Sequence, residues 1–161
     1  MKAIKKDEEY KKYLNVVRAC TTDLANIQEE VRSLHSSRKI RTMPSLSSGR
    51  IGKTSLQEQS YRSRLIELRM ALYFEWANLD MAHRAIRDHI VYTYSDDIPG
   101  KTQVERDRSL RKILGKGDRR LQELNHTLAY LMMVVEDIDK GSYSLQRDSE
   151  ALAGIVKGDR A

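Results

Sequence analysis

The chain has 161 residues, a formal net charge of +6, 32% charged residues and a mean hydropathy of −0.63. One Trp and one Phe leave little material for a thick aromatic core, and a single cysteine, Cys20, excludes an internal disulfide and suits a reducing compartment. No run of about 18 apolar residues is present, so no segment is expected to span a bilayer, and Met1 to Glu9 lacks the apolar stretch of a secretory signal.

From residue 10 the apolar positions step by three and four: Tyr10, Tyr13, Val17, Cys20, Leu24, Ile27, Val31 and Leu34. This spacing predicts one helix over residues 6–34 with a narrow seam suited to a partner helix. Residues 1–34 therefore read as a coiled-coil arm. Either the chain's own hairpin or a second copy can cover this seam; regular seams suit symmetry-related copies, so Tyr13, Val17, Cys20, Leu24, Ile27, Val31 and Leu34 are the expected contacts of a homo-oligomer. Lys5 and Lys6 are expected at the far end of the arm, away from the other cationic groups.

Residues 35–54 break the pattern. The segment is rich in Ser, Gly and basic residues and contains Pro44, and His35 to Gln57 holds five Lys or Arg and no acid. Such a composition cannot bury enough to fix its backbone and predicts a solvated linker. Gly49-Arg50-Ile51-Gly52-Lys53-Thr54 ends like a phosphate-binding loop, but Ser47 stands where the first glycine is required and no strand precedes it.

Residues 55–155 predict a helical hairpin. Thr54 with Gln57 and Ser55 with Glu58 are capping-box patterns at its start. Leu65, Leu72, Leu79 and Ile86 recur at sevens, joined by Tyr61, Leu68, Ala82, Trp76 and Ile90. Ser95 to Gly100 reads as a turn, and Thr102 with Glu105 caps the returning helix. That helix carries the longest seam in the chain: Leu110, Gly117, Leu124, Leu131, Ile138, Leu145 and Leu152, with Leu114, Leu121, Leu128 and Val135 beside it. Gly115-Lys116-Gly117 predicts a kink and Lys140-Gly141-Ser142 a break, while 156–161 reads as a frayed tail. The fold class is all-α: a long helical hairpin with an N-terminal coiled-coil arm, assembled as an oligomer.

Candidate chemistry is sparse. Asp80 with His83 and Glu123 with His126 have the spacing of half a di-metal site, but the seam phase puts them on the back or flank of their helices, and inward carboxylates to complete such a site are missing. No nucleophile–base arrangement appears, and Cys20 occupies a seam position. The reading is of a protein without enzymatic activity, cofactor or metal. Its chemistry is cationic: Lys101 to Arg120 holds eight Lys or Arg against three acids. In a hairpin that stretch should neighbour the end of the preceding helix. Arg84, Arg87, Tyr92, Tyr94, Lys101, Arg108, Arg111, Lys112, Lys116, Arg119 and Arg120 are the candidate nucleic-acid-binding residues. Arginines and lysines meet phosphates and tyrosines offer faces to unstacked bases, a combination that favours single strands over duplex.

Over residues 84–152 the chain resembles the UvsY family of phage recombination mediators. Arg84-Ala85-Ile86-Arg87-Asp88 followed by Tyr92-Thr93-Tyr94-Ser95 is similar to that family's basic-tyrosine segment before a loop. An apolar helix from Leu121 to Ile138, then Lys140-Gly141-Ser142-Tyr143-Ser144-Leu145, is similar to its step into the final helix. The resemblance implies an oligomeric single-stranded-DNA-binding protein in the cytoplasm of a bacterial or phage-infected cell. It would help load a RecA-like recombinase where single-strand-binding protein coats the strand. Arg84 and Arg87 carry over by position, whereas residues 101–120 are assigned from charge density alone. The alternative is a coiled-coil structural or interaction protein, a phage scaffold component or an inhibitor of a host factor, in which the charges serve only solubility.

Overall fold

In the computed structural model, residues 2–38 and 48–158 are described, and every regular element among them is helical. The order is α1 (Lys2–Lys6), α2 (Glu8–Ala19), α3 (Leu24–Ser36), α4 (Ser48–Thr93), a 3-10 turn (Ser95–Asp97) and α5 (Gln103–Gly158). The all-α reading holds. The middle of the expected linker, residues 39–47, and the end of the expected tail, residues 159–161, lie outside the described residues. No helix among the described residues is long and apolar enough to cross a membrane.

The chain divides into two compact units. The first comprises Met1–Leu24 with Ala71–Thr127, and the second Ala25–Met70 with Leu128–Ala161. Each joins one piece of the arm to one part of α4 and one part of α5. The expected single arm helix is thus corrected. It is interrupted at Asp7, and again over Cys20 to Asp23, where Thr21, Thr22 and Asp23 are residues whose side chains compete for backbone hydrogen bonds and favour helix ends.

In the first unit, Asp7 caps α2 by accepting from the Tyr10 backbone N–H at 2.9 Å, and Glu8 and Glu9 place negative charge on the helix N-terminus. Helices α4 and α5 run antiparallel here, since Arg87–Asp107, His83–Asp118 and Glu75–Arg120 pair in opposite chain order. Leu72, Leu79, Ile86 and Ile90 of α4 are buried, as are Leu110, Leu114 and Leu124 of α5. Burial of each such side chain stabilises by roughly 1.5–3 kcal/mol. Tyr10 and Tyr13 of α2 complete this core, and the Tyr10 hydroxyl donates to the Ile113 carbonyl at 3.0 Å.

The second unit buries Ile27 and Val31 of α3 with Ile51 and Leu65 of α4 and Leu131, Val134, Ile138 and Leu145 of α5. Tyr13, Ile27 and Val31 are therefore covered within one chain, and Val17, Cys20, Leu24 and Leu34 are half-buried. Part of the seam assigned to self-association is thus used inside the protomer.

Three further expectations are corrected. Helix α4 begins at Ser48, so Thr54 and Glu58 are buried inside it rather than capping it. Arg38, assigned to a solvated linker, is buried, and its Nε donates to Glu58 at 2.8 Å. Helix α5 runs unbroken through Gly115–Gly117 and Lys140–Ser142 and extends to Gly158, into the expected tail. Gly117 has a packing reason: the Tyr13 ring lies against its Cα.

Candidate nucleic-acid interface

The site lies in the first unit, at the end of α4 and the start of α5. The turn between them is held by local bonds. Gly100 adopts φ 142°, a conformation open to glycine, and Glu105 accepts from the N–H groups of Lys101 and Thr102 at 2.7 and 3.3 Å. The Glu105 N–H in turn reaches the Thr102 hydroxyl oxygen at 3.3 Å, completing the capping box that the sequence predicts.

Beyond this cap, α5 presents Arg108, Arg111, Lys112, Lys116 and Arg119, all exposed. At 3.6 residues per turn the five share one side of the helix. Among the described residues none of them has an acid within ion-pair distance. The neighbouring acids are engaged elsewhere: Asp107 lies 3.6 Å from Arg87, and Asp118 lies 2.9 Å from His83. Four like-charge pairs at three- or four-residue spacing result, each unfavourable by about 0.2–0.5 kcal/mol.

The structure separates the other candidates by role. Arg84 is well exposed and pairs with Asp80 at 2.8 Å, a surface ion pair of small net worth. Lys101 is exposed, and Tyr92 is 92% exposed, so its ring is open on both faces. Tyr94 is a correction, because its hydroxyl donates to Asp7 at 2.7 Å and its ring packs edge-on against His89. The carboxylate partner pushes the Tyr94 phenol pKa up, with burial adding to it. Arg120 is a second correction. Its guanidinium donates to the Thr22 carbonyl and to Glu75, each at 2.8 Å, and its side chain is only 16% exposed. It holds the α2–α3 break against α4.

Lys5 is the third correction. It lines a groove with Lys112 and Lys116, on the flank of α5 beside Tyr10 and Tyr13, and so belongs with the cations it was expected to stand apart from.

Sequence reasoning also missed the clasp at Asp7. Its carboxylate accepts from the Tyr10 N–H, Tyr94 and His89, and the first of these bonds does most to hold its pKa down at about 2, against the opposing effect of burial. Asp7 ahead of Glu8, Glu9 and an apolar repeat is an N-cap signal, so this half of the clasp was available in the sequence. Nothing local marks His89 and Tyr94 as its partners. His83, placed on the flank by its phase, is covered there by α2: its ring meets Tyr13 edge-on at 5.8 Å. Among the described residues no group of three or more His, Cys, Asp or Glu is placed to hold a metal ion.

Comparisons with protein families, with characterised proteins and with solved structures return no match to this chain.

Proposed function

We propose that the chain is a non-enzymatic protein that binds single-stranded nucleic acid along the outer face of α5 in the first unit. The observation that carries this reading is the row Arg108, Arg111, Lys112, Lys116 and Arg119, exposed and without acidic partners among the described residues. A helix face kept only for solubility is better served by mixed charge, which adds favourable pairs instead of like-charge repulsion. A polyanion relieves that repulsion and releases its own counterions. The open ring of Tyr92, near the same end of the hairpin, supports single strands, whose bases are free to stack.

The resemblance to the UvsY family extends the proposal to single-stranded DNA, to a homo-oligomer, and to loading of a RecA-like recombinase on strands coated by single-strand-binding protein. That extension rests on the resemblance alone. Fluorescence anisotropy with a labelled oligonucleotide tests the core of the reading. The expected result is measurable affinity that falls steeply between low and moderate salt, and no binding at low salt overturns it.

A second reading has its own observation. On α4, Tyr73, Phe74 and Met81 are 49%, 64% and 68% exposed, and the Tyr73 ring stacks on Trp76 at 5.8 Å. Apolar groups exposed together at helical spacing fit a protein-interaction role, as in a structural component or an inhibitor. Phe74→Ser with Met81→Ser, compared with wild type by light scattering and by oligonucleotide binding, separates the two. Loss of assembly with strand binding intact assigns this face to protein contacts.

A further inference from the structure

Gly115 sits in the interior of α5, where glycine is the poorest helix former after proline. Unlike Gly117, it has no packing reason, because a Cβ built on it meets nothing within 4 Å. Above it lies a groove of about 620 Å³ in the first unit, between the end of α4 and the start of α5. Arg87, Arg111 and Arg119 line the groove together with Asp107, Asp118 and His83. The two acids face Arg87 and His83 respectively, which leaves Arg111 and Arg119 as the cations without an acid at ion-pair distance among the described residues.

Arg111 and Arg119 stand four residues to either side of Gly115. At a rise of 1.5 Å per residue they are about 12 Å apart along the helix, with bare backbone between them. We infer that this groove seats the phosphodiester backbone of a single strand, Arg111 and Arg119 each meeting a phosphate and Gly115 letting the strand approach the helix surface. The inference rests on the nucleic-acid reading and names its site. Two arginines at this separation suit a chain of phosphates better than one small anion, and absence of a side chain at the midpoint is what close backbone approach requires. Arginine adds a planar fork of donors that matches phosphate oxygens.

The test fills the groove without touching its charge. Gly115→Leu retains every ionisable group and should keep or raise the melting temperature, since leucine is the better helix former and its Cβ has room. Affinity for a labelled thymidine oligonucleotide should nevertheless fall by about tenfold, with a shallower salt slope. Gly52→Leu, at another helix glycine whose Cβ meets nothing within 4 Å, should bind as wild type does. As a second arm, Arg111→Gln with Arg119→Gln should lower the slope of log affinity against log salt by about 1.4, at about 0.7 per phosphate contact. Lys140→Gln with Arg147→Gln, which removes the same charge from the second unit, should leave the slope unchanged. Wild-type affinity in a folded Gly115→Leu variant overturns the groove while leaving the functional reading intact. Equal loss in the two charge variants traces the attraction to net charge and overturns both the groove and the α5 face. Absence of strand binding by the wild type overturns both. Titration with inorganic pyrophosphate alone is the remaining arm. Tight binding that Gly115→Leu abolishes would make a small phosphate the ligand and overturn the strand assignment.

Discussion

Gly117 of α5 lies so close to Tyr13 of α2 that a Cβ built on the glycine would fall 1.7 Å from the tyrosine hydroxyl oxygen and 2.9 Å from Cζ. The tyrosine is 3% exposed, and among the described residues its hydroxyl has no hydrogen-bond partner. Burial, with Asp118, Tyr10 and Cys20 adding to it, pushes its pKa well up, so it remains a neutral phenol throughout the working range. Gly117→Ala should destabilise the protein by about 1–3 kcal/mol in urea unfolding despite alanine's better helix propensity, because the added methyl overpacks a closed contact. Tyr13→Phe removes the atom that clashes and a buried polar group without a partner, so it should be close to neutral by itself. Combined with Gly117→Ala it should recover part of the loss, and strict additivity of the two changes would show that they are not in contact.

Asp7 gives a pH signature. Its carboxyl is held down at about 2 against an ordinary value of 3.8, by the Tyr10 N–H first and by Tyr94 and His89 further down the order. A depressed folded-state value means that the group's contribution is fully present above the unfolded value and is lost as pH falls through the folded one. The stability difference between wild type and Asp7→Asn should therefore be constant from pH 7 to about 5 and shrink between about 4 and 2. A difference independent of pH down to 2 would remove the clasp from the acid response. Asp7→Ala, which also loses the cap, should cost about 1 kcal/mol more than a surface substitution at neutral pH.

In the second unit, Arg38 and Glu58 form a pair whose side chains are 3% and 1% exposed, with Asp137 as a further acceptor for Arg38. Glu58→Ala leaves the buried Nε of Arg38 without an acceptor while Asp137 still holds the other end of the guanidinium, and should destabilise by about 1–3 kcal/mol. Arg38→Met with Glu58→Leu removes both charges together and should cost far less, as measured by chemical denaturation. Equal losses for the single and double variants would mean that volume, not charge, dominates there.

Arg119 and Arg120 are adjacent in sequence and differ in surroundings, the first exposed and the second paired with Thr22 and Glu75. Arg120→Ala takes the guanidinium from Glu75 Oε1 and from the Thr22 carbonyl and should lower stability clearly, by about 1–3 kcal/mol. Arg119→Ala should leave stability within about 0.5 kcal/mol and reduce the salt dependence of strand binding. Paired thermal melts and anisotropy titrations read both effects, and a reversed pattern would invalidate the division drawn along α5.

Tyr92→Ala separates stacking from charge. With its ring open to solvent, the substitution should leave the melting temperature unchanged. It should weaken strand binding by about 1–3 kcal/mol with little change in salt slope if a base stacks there. A loss of affinity accompanied by a reduced slope would show that Tyr92 acts through the neighbouring cations.

The local sequence was enough to determine that the chain is helical and which residues of α4 and α5 turn inward. Leu65, Leu72, Leu79 and Ile86, and Leu110, Leu124, Leu131, Ile138 and Leu145, all buried, were legible because helical geometry repeats at 3.6 residues and burial follows that repeat. The Thr102–Glu105 cap was legible for the same reason, since its partners lie three residues apart. The exposed cations of α5 could be read as a cluster from charge density. Which of them carry structure could not: Arg120 differs from Arg119 by facing Glu75 and the Thr22 carbonyl, both distant in the chain. Only tertiary structure decided what covers the arm, because a seam of tyrosine, valine and isoleucine specifies an apolar neighbour without saying whether it belongs to the same chain. The break at Cys20 to Asp23 was hidden by a heptad phase that continues across it. Arg38 was hidden by a composition that reads as solvated, and its burial depends on two acids supplied by other helices. Periodicity is a property of one helix, whereas the fate of a charge or a seam depends on what a distant segment brings to it.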